Sequence, residues 1–293
     1  MILAAGLGTR LAPLTDFRAK ALMPLGDKPL LAHLVTILQS AGFEKIAANA
    51  HHRADEIEAF ARENLRGIAI SREADLLGTA GGVHHARALL GEGDVLIWNG
   101  DIVADLDPRA VARMHEKSEN EATLAIVPRA RGESNVGIDA HGHVVRLRKE
   151  TTAEGEIEGG EFLGVHVVGR ALRETLPEAG CLVGDVYVPA LRRGAKFGVM
   201  RYQKKFQDIG TLESYLEANL AWLRSSGRRV WLGENARIER GVDAIDALVG
   251  AGGSVSGKGK LERVVVWPNA HAVAPLEDAI VTTQSTVRVA RVF

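Results

Sequence analysis

The first part of the chain alternates short apolar runs with segments whose apolar residues recur at helical spacing. The runs MILAA, KIAANA, GIAI and DVLIWNGD predict buried strands. The segments PLLAHLVTILQSAG, ADEIEAFAREN and AGGVHHARALL between them predict helices. This alternation is typical of an α/β fold with a mostly parallel sheet, in which ligands bind at the carboxyl ends of the strands.

The pattern changes near residue 120. The stretches ATLAIV, NVGIDAHGHVVRLRKE and EFLGVHVVG predict strands, and a turn at His141-Gly142 predicts a hairpin. GDVYVPALRRG and TLESYLEANLAWLRSSG return to a helical pattern, and the second is expected to close the domain. The sequence therefore predicts a Rossmann-like domain over residues 1–226, with a mixed, mostly parallel sheet extended by an antiparallel lobe.

The segment SSGRRVWLG predicts a linker, and a different periodicity follows it. Counting in sixes from Val249 reaches an apolar residue at each step: Val255, Leu261, Trp267, Val273 and Ala279. A six-residue period is typical of left-handed parallel β-helix coils, although an irregular β appendage also fits a tail rich in glycine and valine. We predict a left-handed β-helix-like appendage over residues 234–293, with Val255, Leu261, Trp267 and Val273 in a small core.

Composition narrows the class of partner. The 293 residues include 36 basic and 37 acidic side chains, and this net charge of -1 gives no electrostatic reason to expect nucleic acid or an anionic membrane. No apolar run reaches membrane-spanning length and no signal peptide is recognisable, so a cytoplasmic protein is expected. The one cysteine, Cys181, excludes an internal disulfide framework and is expected to fill core space.

The first predicted strand runs into a glycine loop that fits neither of the two common phosphate-binding motifs. Gly6 and Gly8 are followed by Leu11, where a dinucleotide fingerprint needs a third glycine, and the Gly-Lys-Ser/Thr of a Walker loop is absent. A lone Gly-x-Gly after a strand is most often a tight turn. The rest of the segment changes that interpretation, because it reads G-L-G-T-R-L-x-P-L-T, followed by Lys20 and LMPLGDKPL.

This segment closely resembles the sugar-1-phosphate nucleotidyltransferases, the nucleoside-diphosphate-sugar pyrophosphorylases. LLGTAGGVHHA resembles the base-contacting loop and helix of this family, and VLIWNGD resembles the strand that ends in a metal-binding Asp. EFLGVHVV is similar to its sugar-binding strand, and FQDIGTLESYLEAN to the segment with its second metal-binding Asp. Five motifs in the family's order are far more specific than any one alone.

The resemblance implies transfer of a nucleoside monophosphate from a nucleoside triphosphate to a sugar-1-phosphate, with release of pyrophosphate and with Mg²⁺ as cofactor. The substrate supplies the nucleophile, so the barrier is largely electrostatic and positional. Arg10 would offer a planar fork to the α-phosphate and the departing pyrophosphate, and Lys20 would bridge the α-phosphate and the sugar phosphate. Asp101 and Asp208 would share one Mg²⁺ site as hard oxygen ligands.

The resemblance also assigns binding residues. Nucleotide contacts are expected from the first strand, the glycine loop and the base loop: Leu3, Ala4, Ala5, Gly6, Gly8, Thr9, Arg10, Gly78, Thr79 and Gly81. Sugar-phosphate contacts are expected from Gly137, Lys149, Glu150, Glu161 and Gly164. The family usually has Glu-Lys where this chain has Lys149-Glu150, so either residue is a candidate for the sugar phosphate. The lysine-proline usual at the second motif is Lys20-Ala21 here.

The choice of substrates rests on smaller likenesses. GTAGG resembles the guanylyl-transferring branches, and FLGVHVV and NAHHRADEIEAF resemble bacterial mannose-1-phosphate guanylyltransferases, so GTP and mannose 1-phosphate are favoured. Uridylyl or thymidylyl transfer to another sugar-1-phosphate, such as N-acetylmuramate or glucose 1-phosphate, is one alternative. A catalytically inactive, nucleotide-sugar-binding regulatory paralogue is another, but the presence of all four proposed catalytic and metal-binding residues favours an enzyme.

Two further expectations concern histidines and assembly. The pairs His51-His52 and His84-His85 are expected in capping and surface roles, because neighbours in sequence point in different directions and cannot chelate a metal alone. The tail is expected to present β edges and apolar residues to another subunit, which predicts a homo-oligomer.

Overall fold

The computed structural model describes residues 1–290. The α-helices are α1 (Leu14–Phe17), α2 (Leu30–Ser40), α3 (Ala54–Asn64), α4 (Gly78–His85), α5 (Arg87–Leu90), α6 (Pro108–Glu116), α7 (Arg170–Arg173), α8 (Val188–Arg192) and α9 (Leu212–Ser225). Two 3-10 turns lie at Thr9–Leu11 and Lys20–Leu22, and a π-helical turn lies at Leu182–Tyr187. Within the described residues, no helix is both long enough and apolar enough to span a lipid bilayer.

The strands fall into two groups along the chain. Those up to residue 201 are β1 (Ile2–Leu3), β2 (Pro24–Leu25), β3 (Lys28–Pro29), β4 (Ile46–Ala50), β5 (Ile68–Arg72), β6 (Val95–Asn99), β7 (Ile102–Ala104), β8 (Ala122–Arg129), β9 (Val136–Ile138), β10 (Val144–Leu147), β11 (Glu150–Thr151), β12 (Glu158–Val168) and β13 (Phe197–Arg201). The later ones are β14 (Phe206–Asp208), β15 (Val230–Leu232), β16 (Arg237–Ile238), β17 (Val242–Val249), β18 (Ser254–Val266), β19 (His271–Val281) and β20 (Thr286–Arg288).

The chain divides into two compact units. The first contains Met1–Gly6 and Leu34–Phe206, and the second contains Leu7–His33 and the chain from Gln207 onwards. The domain limits expected from the sequence, 1–226 and 234–293, follow the motifs rather than these compact units, and they remain a prediction.

A ten-stranded mixed sheet forms the first unit. Strands β5, β4, β1 and β6 run parallel as predicted, and β12 then pairs antiparallel with β6, β8 and β9. The hairpin predicted at His141-Gly142 is present, because β9 and β10 pair antiparallel across that turn. Strand β13, which pairs parallel with β8, was not predicted. Apolar side chains from these strands and from α4, α6 and α8 form the core.

Two local differences from the predicted helices have clear causes. The single helix expected for AGGVHHARALL is two helices, α4 and α5, which meet at Ala86. The segment GDVYVPALRRG starts within the π-helical turn Leu182–Tyr187 and only then becomes α8. Pro189 fits early in α8, where its missing N–H has no intrahelical partner to lose.

The second unit combines α9 with a stack of parallel strands. Strands β15, β17, β18 and β19 pair in order, and Val230↔Ala247, Val242↔Gly259 and Ser254↔His271 are all pairs of residues 17 positions apart. Part of the predicted linker SSGRRVWLG is therefore strand β15. Val255, Leu261, Trp267 and Ala279 are buried as expected, but Val273 is 58% exposed. A spacing of 17 does not contain a whole number of sixes, so Ala272 and Ala274 point inward instead.

The stack packs on α9 and on the segment Leu7–His33. The indole N–H of Trp267 donates to the Tyr215 hydroxyl at 2.9 Å, and that hydroxyl donates to the Pro24 carbonyl at 2.6 Å. The guanidinium carbon of Arg18 lies 5.4 Å from the centre of the Trp267 ring, in a cation–π contact. Arg263 pairs with Glu217 on α9 and with Asp278 on the neighbouring strand.

Candidate active site

Two buried polar residues hold the end of β1 in place. The Ala4 N–H donates to Asn49 Oδ1 at 2.7 Å, and Asn49 Nδ2 donates to Glu73 Oε1 at 2.7 Å. The other Glu73 oxygen accepts from the Leu77 N–H, immediately before the base loop. Asn49 and Glu73 are each 3% exposed, so these hydrogen bonds are shielded from water. The sequence analysis missed both residues, although an asparagine inside the apolar run KIAANA was the available signal.

The glycines of the base loop permit close packing of two backbone segments. Gly78 has a φ of +75°, and a Cβ at that position would overlap the Gly180 carbonyl oxygen. A Cβ at Gly81 would lie 2.5 Å from the Glu178 carbonyl oxygen. The Thr79 hydroxyl accepts from the Leu182 N–H at 2.8 Å. The GTAGG motif therefore has a structural reason for its glycines, in addition to any contact with a base.

The glycine loop continues in the second unit, where it meets the expected catalytic lysine. Gly8 has a φ of +65°, and a Cβ there would lie 2.8 Å from Thr15 Cγ2 and 3.4 Å from Lys20 Cβ. The Gly8 carbonyl also accepts from the Thr15 hydroxyl at 3.2 Å. Glycine at this position thus allows the Lys20 stem to lie directly against the loop backbone.

The other expected catalytic cation, Arg10, is close to Asp208. A Cβ at Gly210 would lie 2.9 Å from Arg10 Nη2 and 3.3 Å from Asp208 Oδ1, so both groups crowd the same glycine. Asp208 is the last residue of β14 and is exposed. The structure therefore brings a guanidinium and a carboxylate together within the second unit, the charge pair that phosphate and a divalent cation would respectively require.

Asp101 lies in the first unit, in the turn between β6 and β7. The preceding Gly100 donates its N–H to the Leu3 carbonyl at 2.8 Å, and a Cβ there would lie 2.7 Å from that oxygen. This close approach places Asp101 at the carboxyl ends of β6 and β1. Among residues 1–290 no three His, Cys, Asp or Glu side chains form a metal-binding group. One or two carboxylates fit Mg²⁺, which takes its remaining ligands from water and substrate phosphates.

A cavity of about 250 Å³ lies within the first unit. Its polar lining comes from Thr79, Asn99, Asn135, Arg148, His166 and Cys181. Gly164, on the expected sugar-binding strand, has a φ of +77°, and a Cβ there would lie 2.6 Å from Asn99 Nδ2. The register of β12 shifts between Phe162 and His166, so this glycine belongs to a bulge that brings the strand close to Asn99.

The other expected sugar-phosphate residues lie outside the cavity lining. Lys149 is exposed in a turn, and the exposed Glu150 pairs with Arg192. Glu161 pairs with Arg129 on the neighbouring strand. Gly137 is buried against the Arg146–Glu156 ion pair, where a Cβ would overlap the Glu156 carboxylate. Arg148, which the sequence analysis did not select, is the basic residue that lines the cavity.

Cys181 does not fill core space, contrary to the prediction. It is partly exposed and lines the cavity, where its Sγ accepts from Arg148 Nη2 at 3.2 Å and from the Gly184 N–H at 3.5 Å. Burial alone would raise the pKa of the Cys181 thiol, but hydrogen bonds from the Gly184 and Val183 N–H groups and from Arg148 lower it overall.

His166 is a second polar residue whose surroundings are unusual. It is 2% exposed, and neither ring nitrogen has a hydrogen-bond partner within the described residues. Burial lowers the pKa of His166 to about 3, so the imidazole is neutral at physiological pH. The Tyr187 hydroxyl, whose ring packs edge-on against His166, likewise lacks a partner in the described chain.

The paired histidines bond to separate groups. His51 Nδ1 lies 3.1 Å from the Glu73 carbonyl, and His84 Nδ1 lies 2.8 Å from the Leu176 carbonyl. His85 Nδ1 lies 3.0 Å from the Ser71 hydroxyl. These are contacts that orient the rings within the fold.

A mixed α/β sheet with a glycine loop after its first strand, conserving room for Lys20 and Arg10, defines a protein of the nucleotide-phosphate-binding α/β class. The family model described as nucleotidyl transferase matches residues 1–225. The chain therefore belongs to this family, and within it to the sugar-1-phosphate nucleotidyltransferases, which are enzymes of the nucleotidyltransferase class.

Three curated relatives carry different substrate names. An N-acetylmuramate alpha-1-phosphate uridylyltransferase from Caulobacter vibrioides is 37% identical over 57% of this chain and 73% of its own length. A mannose-1-phosphate guanyltransferase from Aspergillus fumigatus is 26% identical over 78% and 65%. A UTP–glucose-1-phosphate uridylyltransferase from Synechocystis is 27% identical over 74% and 61%. The chain thus spans less than two thirds of the length of the latter two.

Solved structures share the fold. HddC from Yersinia pseudotuberculosis, in complex with GMP-PN, has a TM-score of 0.62 and 22% identity over 75% of this chain and 97% of that one. A glucose-1-phosphate thymidylyltransferase from Bacillus anthracis, described as putative, has a TM-score of 0.63 and 18% identity over 75% and 93%. At these identities the likeness establishes the nucleotidyltransferase fold.

Proposed function

We propose that this enzyme transfers a nucleoside monophosphate from a nucleoside triphosphate to a sugar 1-phosphate, releasing pyrophosphate. The observation that carries the proposal is the glycine loop, in which Gly8 leaves room for Lys20 and Arg10 lies beside Asp208. A sugar-phosphate oxygen attacks the α-phosphorus and the bond from that phosphorus to the bridging oxygen of pyrophosphate breaks. The reaction needs fixed positive charge and alignment, because both reactants are polyanions.

Each loop residue has a distinct part in this proposal. Arg10 presents two parallel donors to phosphate oxygens and stabilises the charge that develops on the departing pyrophosphate. Lys20 neutralises the attacking sugar phosphate and the α-phosphate together. The backbone N–H groups of the loop donate to the triphosphate without side-chain bulk.

The remaining expected sites stay part of the proposal. Asp101 and Asp208 supply carboxylate oxygens to Mg²⁺, which neutralises phosphate charge when bound. Leu3 to Gly6, Thr9 and the base loop Gly78–Gly81 hold the nucleotide, and Gly137, Lys149, Glu150, Glu161 and Gly164 the sugar phosphate.

Two substrate pairs remain in competition. GTP with mannose 1-phosphate is favoured by the short motifs and by the named activity of the Aspergillus fumigatus relative. UTP with N-acetylmuramate 1-phosphate is favoured by the 37% identity to the Caulobacter vibrioides relative. We also propose that the parallel strands of the tail are coils of a left-handed β-helix, a form supported by their regular 17-residue spacing.

One panel tests the function. Four nucleoside triphosphates are each combined with mannose, glucose and N-acetylmuramate 1-phosphates, and pyrophosphate release is measured with and without Mg²⁺. We expect one combination to dominate and to need the metal. Asp101→Ala and Asp208→Ala should each remove most of that activity with an unchanged circular dichroism spectrum. Pyrophosphate release from no combination would contradict the function, and full turnover of either variant at low Mg²⁺ would contradict the metal assignment.

A further inference from the structure

Arg148 differs from the other arginines of the antiparallel lobe in its partner. The others are each paired with a glutamate: Arg129 with Glu161, Arg146 with Glu156, Arg192 with Glu150 and Arg201 with Glu158. Arg148 Nη2 donates instead to Cys181 Sγ, and the described residues include no carboxylate paired with it. The lobe therefore compensates its arginines with carboxylates everywhere except at the cavity.

The local backbone holds Arg148 at the cavity. Its φ is +58°, a left-handed conformation that side-chain-bearing residues adopt only where the surrounding structure imposes it. The Arg148 N–H donates to the Asn135 carbonyl at 2.6 Å, and Asn135 Oδ1 accepts from the Phe162 N–H at 2.8 Å. Together with the contact to Cys181, these bonds fix both ends of the residue. A guanidinium positioned in advance loses less entropy when it binds a ligand.

The cavity lining lacks a negative counter-charge. No Asp or Glu of the described chain lines it, and the neutral His166 leaves Arg148 as its one fixed positive charge. Asp185, the nearest acidic residue to this corner that has a printed contact, accepts from the Cys181 backbone N–H at 2.7 Å and lies outside the lining. The unpartnered ring nitrogens of His166 show that this wall expects a polar ligand.

We propose that the cavity takes the sugar of an acidic sugar 1-phosphate, and that Arg148 binds a carboxylate carried by that sugar. This inference rests on the proposed function and narrows its substrate class to sugars with a second anionic group. The planar guanidinium presents two donors at the spacing of a carboxylate, while Thr79, Asn99 and His166 offer neutral hydrogen-bonding groups to hydroxyls. A cavity of about 250 Å³ suits one sugar ring and its substituents.

A neutral sugar would not satisfy this wall. Its hydroxyls would desolvate the Arg148 guanidinium without supplying a negative charge, which costs free energy in a partly buried site. The 1-phosphate, for its part, already has Lys20 assigned to it in the proposed reaction. Cys181 adjusts to the ligand, because its thiol can accept from Arg148 while the cavity is empty and release that donor when a carboxylate arrives.

Matched pairs of substrates test the assignment. Wild-type enzyme is assayed with N-acetylmuramate against N-acetylglucosamine 1-phosphate, and with glucuronate against glucose 1-phosphate, using the same nucleoside triphosphate throughout. We expect kcat/KM to favour the acidic member of at least one pair by about 10- to 100-fold, the range of a charged hydrogen-bonded pair. Arg148→Gln should bring the acidic-to-neutral ratio close to one, and Arg148→Glu should reverse it. Arg192→Gln, which removes an ion-paired arginine of the same lobe, is the control and should keep the wild-type ratio.

The outcomes separate the possible errors. If Arg148→Gln lowers both members of each pair by the same factor, Arg148 binds the shared 1-phosphate and the inference is overturned. If wild-type enzyme prefers the neutral sugars, it is overturned as well. If no pair releases pyrophosphate, the proposed function fails, and calorimetric titration with the same sugar phosphates then decides on the subsite alone. Equal affinities of wild-type and Arg148→Gln protein for the acidic sugar would reject it.

Discussion

At the scale of single residues, the loop arginine gives the sharpest expectation. Arg10→Ala should lower the rate of the chemical step by roughly two orders of magnitude, since one donor aimed at developing charge contributes about 3 kcal/mol. Nucleoside triphosphate affinity should change much less. Single-turnover kinetics with a matched binding titration separate the two effects. Arg62→Ala, which removes a surface arginine that is 73% exposed on α3, is the control. An unchanged chemical step with weaker nucleotide binding would contradict the role of Arg10.

The pH dependence of stability should show the Arg146–Glu156 pair. Glu156 accepts from Arg146 Nε at 2.9 Å and from the Gly132 N–H at 2.7 Å, and the hydrogen bond from Arg146 lowers the pKa of Glu156 below its usual 4.5. Because the folded-state pKa is depressed, the pair stabilises above the unfolded-state value and that contribution is lost as pH falls through the folded-state value.

Glu156→Gln should therefore be less stable than wild type at about pH 7, and the difference should shrink as pH falls below about 4. Urea unfolding at both pH values measures it. The variant Glu63→Gln, which changes an exposed residue of α3, should show little effect at either pH. A difference between wild type and Glu156→Gln that grows on acidification would show that the pair does not act in this way.

Residues also mark how far sequence reasoning could reach. Arg146 and Arg148 are two positions apart in VVRLRKE and are indistinguishable there, yet one pairs with Glu156 and the other reaches Cys181. Their partners lie 10 and 33 residues away along the chain, so only the fold separates a compensated charge from one left at a cavity. Gly8, by contrast, announced itself, because the φ it requires is a local property.

At the scale of elements, the contact between the tail and α9 is open to direct measurement. Trp267→Phe keeps an aromatic ring but removes the donor to the Tyr215 hydroxyl. We expect a loss of about 1 kcal/mol in the free energy of unfolding, the usual value for one buried hydrogen bond. Tyr215→Phe and the double variant complete a double-mutant cycle. Strict additivity of the two single changes would show that the hydrogen bond contributes nothing.

Elements were predicted well where period and length agreed. The helices at Leu30–Ser40 and Ala54–Asn64 and the strand at Ile46–Ala50 lie where their patterns placed them. Strand β13 was missed because FGVMR is short and follows a helix, which leaves no alternation to detect. The inward positions of β19 were misplaced at Val273 because a six-residue count assumes 18 residues per turn, and the strands of the tail repeat every 17.

At the scale of the whole molecule, the predicted homo-oligomer remains to be measured. We expect light scattering on the full-length chain at micromolar concentration to report more than one subunit. Removing the chain after Ser226 would also remove Trp267 and Arg263 from α9, so it should lower thermal stability as well as change assembly. A full-length chain that is monomeric would show that the tail serves α9 and the segment Leu7–His33 without joining subunits.

The constant offset between paired strands of the tail also sets which length changes the protein can accept. Deleting or duplicating 17 consecutive residues within β17 to β19 would leave every remaining side chain facing the same way, because Val242 meets Gly259 and Ser254 meets His271 at that interval. Loss of a single residue would turn all later inward positions of its strand outward. Length variation among descendants of this gene should therefore accumulate in whole coils, a stepwise inheritance that the catalytic sheet, with its long-range pairings, does not permit.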